Sequence, residues 1–324
     1  MTNTPLRAAT RRSHLKRDSS GRHAKTGGYY AFDPWRRGGD AMKCLRAVTL
    51  ILAGALLPAA GSTQEHAAVD IGGRRLDVLR VGAGAPAVVF EVGLADSMDT
   101  WAPVCTAVGE LTTAIAYSRA GFGRSDSSPD GYSARHAVDD LHRLLRRLHV
   151  PPPYLLVGRS YGGLLVRLYT SLYPSDVAGL VIVDGTHEQQ VRRYGQLDSS
   201  YPAAFRASFD SVLSTLPPGP QAAEIRETVR IQAAGTVEGL TALPDIPLAV
   251  LTSMRIDSTA RFVNGTARGH EVWRALHDEW FQRSRNGIHI ETSRSGHDIQ
   301  SSEPGLVINA IRFVLDRVRA NERP

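Results

Sequence analysis

Ser160 lies in the run Gly158-Arg159-Ser160-Tyr161-Gly162-Gly163, which matches G-x-S-x-G. A serine hydroxyl is a weak nucleophile and needs a neighbouring base to take its proton. Most of the nine histidines beyond residue 61 fall in expected helices or strands, where packing or solvation explains them. His297 differs, because it sits in the loop Ser295-Gly296-His297-Asp298 after an apolar run. His187 stands near the same edge, where a surface or substrate-contacting role is expected. An imidazole acting as base needs a carboxylate to hold its tautomer and stabilise its cation. Two aspartates satisfy the order Ser…Asp…His: Asp184, which closes the apolar run 179–184, and Asp257, four residues after the run 246–253. Asp184 is favoured because it ends a buried strand directly, and Asp257 stays open as the alternative acid. The tetrahedral intermediate needs two N–H donors for its oxyanion. Tyr161, next to the nucleophile, supplies one, and Leu94, in the loop Val92-Gly93-Leu94, is expected to supply the other.

These groups work only if strands and helices bring them to one edge. Residues 66–71 and 74–81, split by Gly72 and Gly73, read as a hairpin. Short apolar runs at 87–92, 112–118, 154–158, 179–184, 246–253 and 288–293 read as strands, several buried on both faces. Between them lie helical stretches at 99–111 and 161–173, and one in which Ala134, Val138, Leu141, Leu145 and Leu148 recur at helical spacing. Pro151, Pro152 and Pro153 end that one, and a last helix covers 303–320. This alternation predicts an α/β fold: a mostly parallel sheet with helices on both faces. Residues 185–245 interrupt it and read as an inserted helical cap over the sheet's C-terminal edge. Phe205, Val212 and Leu213 in the cap are expected to wall an apolar acyl or alcohol group.

The GRSYGG, the SGH at 295–297, the VGL at 92–94 and the YSRAGFGRSD at 117–126 together resemble the α/β-hydrolase superfamily. The resemblance spans residues 67–319 and is nearest to the cap-bearing lipase, esterase and epoxide-hydrolase-like branch. It implies an eight-stranded sheet, a Ser-His-acid triad and no cofactor. In such families the acid follows the sixth or the seventh strand, which suits Asp184 and Asp257 respectively. Two departures stand out. Val92-Gly93 replaces the usual His-Gly of the oxyanion loop, and no unambiguous G-x-x-D follows the seventh strand. Ser160, where epoxide hydrolases and haloalkane dehalogenases carry Asp, argues against both of those chemistries.

Composition narrows the remaining classes. With 42% hydrophobic and 22% charged residues the chain is ordinary globular material, not fibrous or wholly disordered. The net charge of +6 does not point to nucleic acid, because residues 1–61 alone carry 11 basic and 3 acidic residues. Two cysteines, Cys44 and Cys105, exclude a disulfide framework or a structural zinc site. Neither a P-loop nor a metal-ligand cluster appears, so no metal is expected, and the resemblance implies no cofactor. Residues 1–41 read as a disordered extension, or as sequence ahead of a true start at Met42. Residues 42–61 then form the three parts of a signal peptide: Lys43 and Arg46, an apolar run, and the small residues Ala59, Ala60 and Gly61. A secreted or periplasmic location follows, with an uncleaved N-terminal membrane anchor as the alternative. Residues 62–324 are expected to form the hydrolase domain, with its cap at about 185–245. The expected function is hydrolysis of carboxylic esters or related acyl compounds by a serine hydrolase, its partner being a small acyl substrate. The alternatives are acyl transfer on the same fold and a catalytically silent binding protein.

Overall fold

A computed structural model describes residues 64–321 of the chain. The N-terminal extension, the signal segment at 42–61 and Cys44 lie outside the described residues. Eight strands form one sheet: β1 (Gln64–Asp70), β2 (Arg75–Val81), β3 (Val88–Glu91), β4 (Ala114–Tyr117), β5 (Tyr154–Arg159), β6 (Val177–Val183), β7 (Leu248–Ser253) and β8 (Gly287–Thr292). Their spatial order is β1-β2-β4-β3-β5-β6-β7-β8. β2 pairs antiparallel with β1 and β4, and the other neighbours are parallel. This is the eight-stranded, mostly parallel sheet expected above.

The strand sequences explain the layering. In β6, Val181 and Val183 face one side while Leu180 and Ile182 face the other, so both faces must be covered. Helices α1 (Ala102–Gly109) and α9 (Pro304–Asn321) cover the first face, and α2 (Ala134–Arg147) and α3 (Tyr161–Leu172) the second. Ser133 caps α2 by accepting the His136 N–H at 3.2 Å. Cys105 is buried in α1, and burial pushes its thiol up to about 12, which leaves it an inert packing group.

Between β6 and β7 the chain leaves the sheet for α4 (Gln190–Leu197), α5 (Tyr201–Thr215) and α6 (Pro220–Ala234). α7 (Ala267–Asp278) follows β7, and the single turn α8 (Ile299–Ser302) precedes α9. Val191, Tyr194, Tyr201 and Phe205 of the insertion pack with Trp273 and Leu276 of α7 into a separate cluster. Nothing in the sequence pattern singled out α7. Its buried residues are Gly269, Trp273, Leu276 and His277, too few aliphatics to mark a helical stripe. Of the residues expected to wall the substrate, Phe205 is buried in the cluster shared with α7, while Val212 is 45% exposed.

Candidate active site

Ser160 joins β5 to α3 with φ 53° and ψ −122°, a strained conformation for a residue with a side chain. The turn is held from three sides. The Ser160 N–H donates to the Val183 carbonyl at 3.1 Å, and its carbonyl accepts from Gly163 and Thr186, each at 2.9 Å. The glycine at position 162 is forced by crowding, since a Cβ there would stand 2.5 Å from the carbonyl oxygens of Glu91 and Val92. That close approach sets the start of α3 against the end of β3. The Ser160 side chain is left half-buried at the C-terminal edge of the sheet.

Asp184 is the first residue after β6, the strand beside β5, so it emerges next to Ser160. It is 2% exposed and has φ 45°. Its Oδ2 lies 2.7 Å from His297 Nδ1, while its Oδ1 accepts from the Ser253 N–H at 2.9 Å and from Trp273 Nε1 at 2.8 Å. Burial works to raise this carboxyl; the bond and charge of His297, with the Trp273 indole, overcome it and hold the group below its ordinary value. A buried carboxylate without such partners would cost several kcal/mol, so the three donors are what make its depth tolerable. Asp257 is elsewhere. It is exposed, and its Oδ1 accepts from the Thr259 N–H at 2.8 Å and the Thr259 hydroxyl at 2.6 Å. The structure thus brings Asp184, and not Asp257, to His297.

The loops around these groups are tied together. Arg159, the residue before Ser160, reaches Asp96 Oδ2 at 3.2 Å and also pairs with Asp298, the residue after His297. Glu303 holds the His297 loop from the start of α9, accepting from the Thr292 and Ser295 hydroxyls, each at 2.6 Å, and from Arg294 Nε at 2.8 Å. Leu94 lies in the loop after β3. Among the described residues neither its N–H nor that of Tyr161, the first residue of α3, has a hydrogen-bond partner. A Cβ placed on Gly93 would be 3.7 Å from Ser160 Cβ, so this loop runs directly against the serine. Its backbone is gripped by Arg119 and Glu224, both buried.

His187 departs from expectation. It is 3% exposed and stacked on Trp280, with ring centroids 5.7 Å apart. Burial takes it down to about 3, so it is a neutral packing group at pH 7. Sequence reading also passed over Trp273, Ser253, Arg119, Glu224, Arg159 and Glu303. One signal was present: Glu91 and Arg119 each sit at the end of an otherwise apolar run, where a buried charge needs a partner. Among the described residues no group of three or more His, Cys, Asp or Glu is arranged to hold a metal ion.

Comparison with known proteins agrees with this architecture. A family model described as alpha/beta hydrolase fold matches residues 86–226. The uncharacterized protein YqjL of Bacillus subtilis is 27% identical over 236 residues, covering 72% of this chain and 84% of its own length. Esterase Rv0045c of Mycobacterium tuberculosis is 29% identical over 272 residues, covering 74% of this chain and 86% of its own. The structure of a thermophilic esterase from Thermogutta terrifontis superposes with a TM-score of 0.55 at 16% identity, over 79% of this chain and 99% of that one. The family match over residues 86–226, the sheet order and these likenesses give this chain the α/β-hydrolase fold, with an esterase among its relatives.

Proposed function

We propose that this chain is an exported serine hydrolase that cleaves carboxylic esters or related acyl compounds. The observation that carries the reading is the buried Asp184–His297 pair, 2.7 Å between Oδ2 and Nδ1, at the sheet edge where Ser160 stands in its strained turn. In the proposed reaction His297 takes the Ser160 proton as Oγ attacks the substrate carbonyl. The oxyanion that forms accepts the N–H groups of Leu94 and Tyr161. Asp184 stabilises the imidazolium, which then returns its proton to the departing alcohol. Water, deprotonated by His297, attacks the acyl-Ser160 ester and releases the acid. The esterase relative supports the ester class. Export rests on the basic, apolar and small-residue sequence of 42–61. Among the described residues no helix is long and apolar enough to cross a membrane.

The test is a fluorophosphonate probe with a panel of acyl esters, amides, thioesters and lactones. Wild type is expected to label at Ser160 and to hydrolyse esters, while Ser160→Ala loses labelling and at least ~10⁴-fold in turnover with its melting temperature kept. Labelling at another residue, or turnover surviving in Ser160→Ala, overturns the assignment. Product analysis with an added alcohol shows whether acyl transfer competes with hydrolysis.

A further inference from the structure

We propose that Glu224, on the cap helix α6, is a positioning residue for the oxyanion loop, so that the oxyanion site is assembled by the seating of the cap. The inference rests on the reading of Leu94 and Tyr161 as oxyanion donors.

Arg119 follows β4 and is 3% exposed. A guanidinium offers five N–H donors in a rigid plane, and here all five are used. Nε donates to Glu224 Oε1 at 2.7 Å. Nη1 donates to Glu91 Oε1 at 2.7 Å and to the Val92 carbonyl at 2.8 Å. Nη2 donates to Glu224 Oε2 at 2.8 Å and to the Gly93 carbonyl at 2.6 Å. Glu91 and Glu224 are themselves 1% and 3% exposed. The fork is therefore aimed by two carboxylates, one at the end of β3 and one from the cap.

What the fork aims at is the peptide that matters. The Gly93 carbonyl and the Leu94 N–H belong to the same planar trans unit and point in opposite directions. Fixing the carbonyl on Arg119 fixes the direction of the Leu94 N–H. The next peptide is fixed too, because the Ala95 N–H donates to Glu224 Oε2 at 2.6 Å. Ala95 has φ 53°, a left-handed conformation that costs a residue with a side chain roughly 1 kcal/mol and persists only under such restraint. One cap carboxylate thus holds both the guanidinium behind Leu94 and the backbone just after it. Without Glu224, two Arg119 donors and the Ala95 N–H lose their acceptor, and nothing else in this network holds Ala95 in place.

A purely structural tie between cap and sheet would look the same in a melting curve, so the test reads the transition state. Glu224→Ala and Glu224→Gln are made in the full chain and assayed on an ester that wild type hydrolyses. The kcat, the KM and the Ki of a boronic acid, which forms a tetrahedral adduct on serine, are measured well below the melting temperature. For Glu224→Ala we expect kcat to fall about 10²-fold, the scale of losing one oxyanion donor, with KM within about threefold and the boronate Ki rising in step with the loss. Glu224→Gln falls between Ala and wild type, because its amide oxygen still accepts from Ala95 while its amide nitrogen faces Arg119. If Glu224→Ala fails to fold, the Gln variant decides alone by its kcat and Ki. Wild-type kcat and Ki in the folded variants, with only a lower melting temperature, overturn the inference. So does a change confined to KM, which would mark Glu224 as a substrate contact. If wild type itself shows no hydrolysis that depends on Ser160, it is the serine-hydrolase reading that fails, and the inference falls with it.

Discussion

Asp184 and Asp257 follow neighbouring parallel strands at the same edge of one sheet, yet they live in opposite environments. Asp184 is the residue immediately after β6, and its own N–H is bonded to the Leu251 carbonyl at 2.7 Å, so it inherits the position of the sheet. That places its oxygens among the Ser253 N–H, the Trp273 indole and His297 Nδ1. Asp257 comes four residues after β7, beyond the exposed Arg255 and Ile256, and turns back on its own loop to cap Thr259. Both carboxyls are held below the ordinary value, but for different reasons. At Asp184 burial pushes up and the bond and charge of His297 pull down harder, whereas at Asp257 the Thr259 bonds act almost alone in water. A depressed carboxyl is therefore no mark of function by itself; what it touches and how deeply it lies decide.

The comparison breaks most visibly in turnover. Asp184→Asn is expected to lower kcat by roughly 10⁴-fold, because the amide no longer fixes the imidazole tautomer or stabilises its cation. Steady-state kinetics on one ester, with melting curves to confirm folding, measure it. Near-normal turnover in Asp184→Asn together with a large loss in Asp257→Asn would reverse the roles of the two aspartates.

A smaller effect appears in acid stability. The folded-state value of Asp184 is depressed, so its carboxylate contributes stability in full above the unfolded value of about 4, and that contribution is lost as pH falls through the folded value. The melting-temperature gap between wild type and Asp184→Asn should narrow as the pH falls below about 4, where the carboxylate takes up its proton. A gap that fails to narrow below about pH 4 would mean that the folded carboxyl is not depressed, and the network around it would be misjudged.

The smallest effect belongs to Asp257→Asn. Its partners are local and solvated, so both kcat and melting temperature should stay close to wild type, kcat within about twofold. A tenfold loss of kcat without unfolding would give the loop after β7 a part in the chemistry that its position at the surface does not explain.

Much of this molecule was legible in the residues, because local physics leaves local marks. Doubly buried strands read as short apolar runs, and helices α2 and α3 announce themselves by period and by their breakers. The turn at Ser160 needs glycines that no other residue replaces, so its place was visible in GRSYGG. The sequence also carried the two aspartates and the loop histidine in their order. It favoured Asp184 by its place at the end of a strand but left Asp257 open, since the choice also depends on which neighbours arrive from elsewhere. Those neighbours come from far along the chain. Ser253, Trp273 and His297 meet Asp184 across separations of 69 to 113 residues, and Glu224 reaches Ala95 across 129. Sequence by itself determined the elements, the nucleophile's turn and the set of candidate groups, because periodicity and backbone sterics act over a few residues. Tertiary structure alone decided which carboxylate meets the imidazole and what grips the oxyanion loop, because a buried charge takes its partners from whatever the fold packs against it.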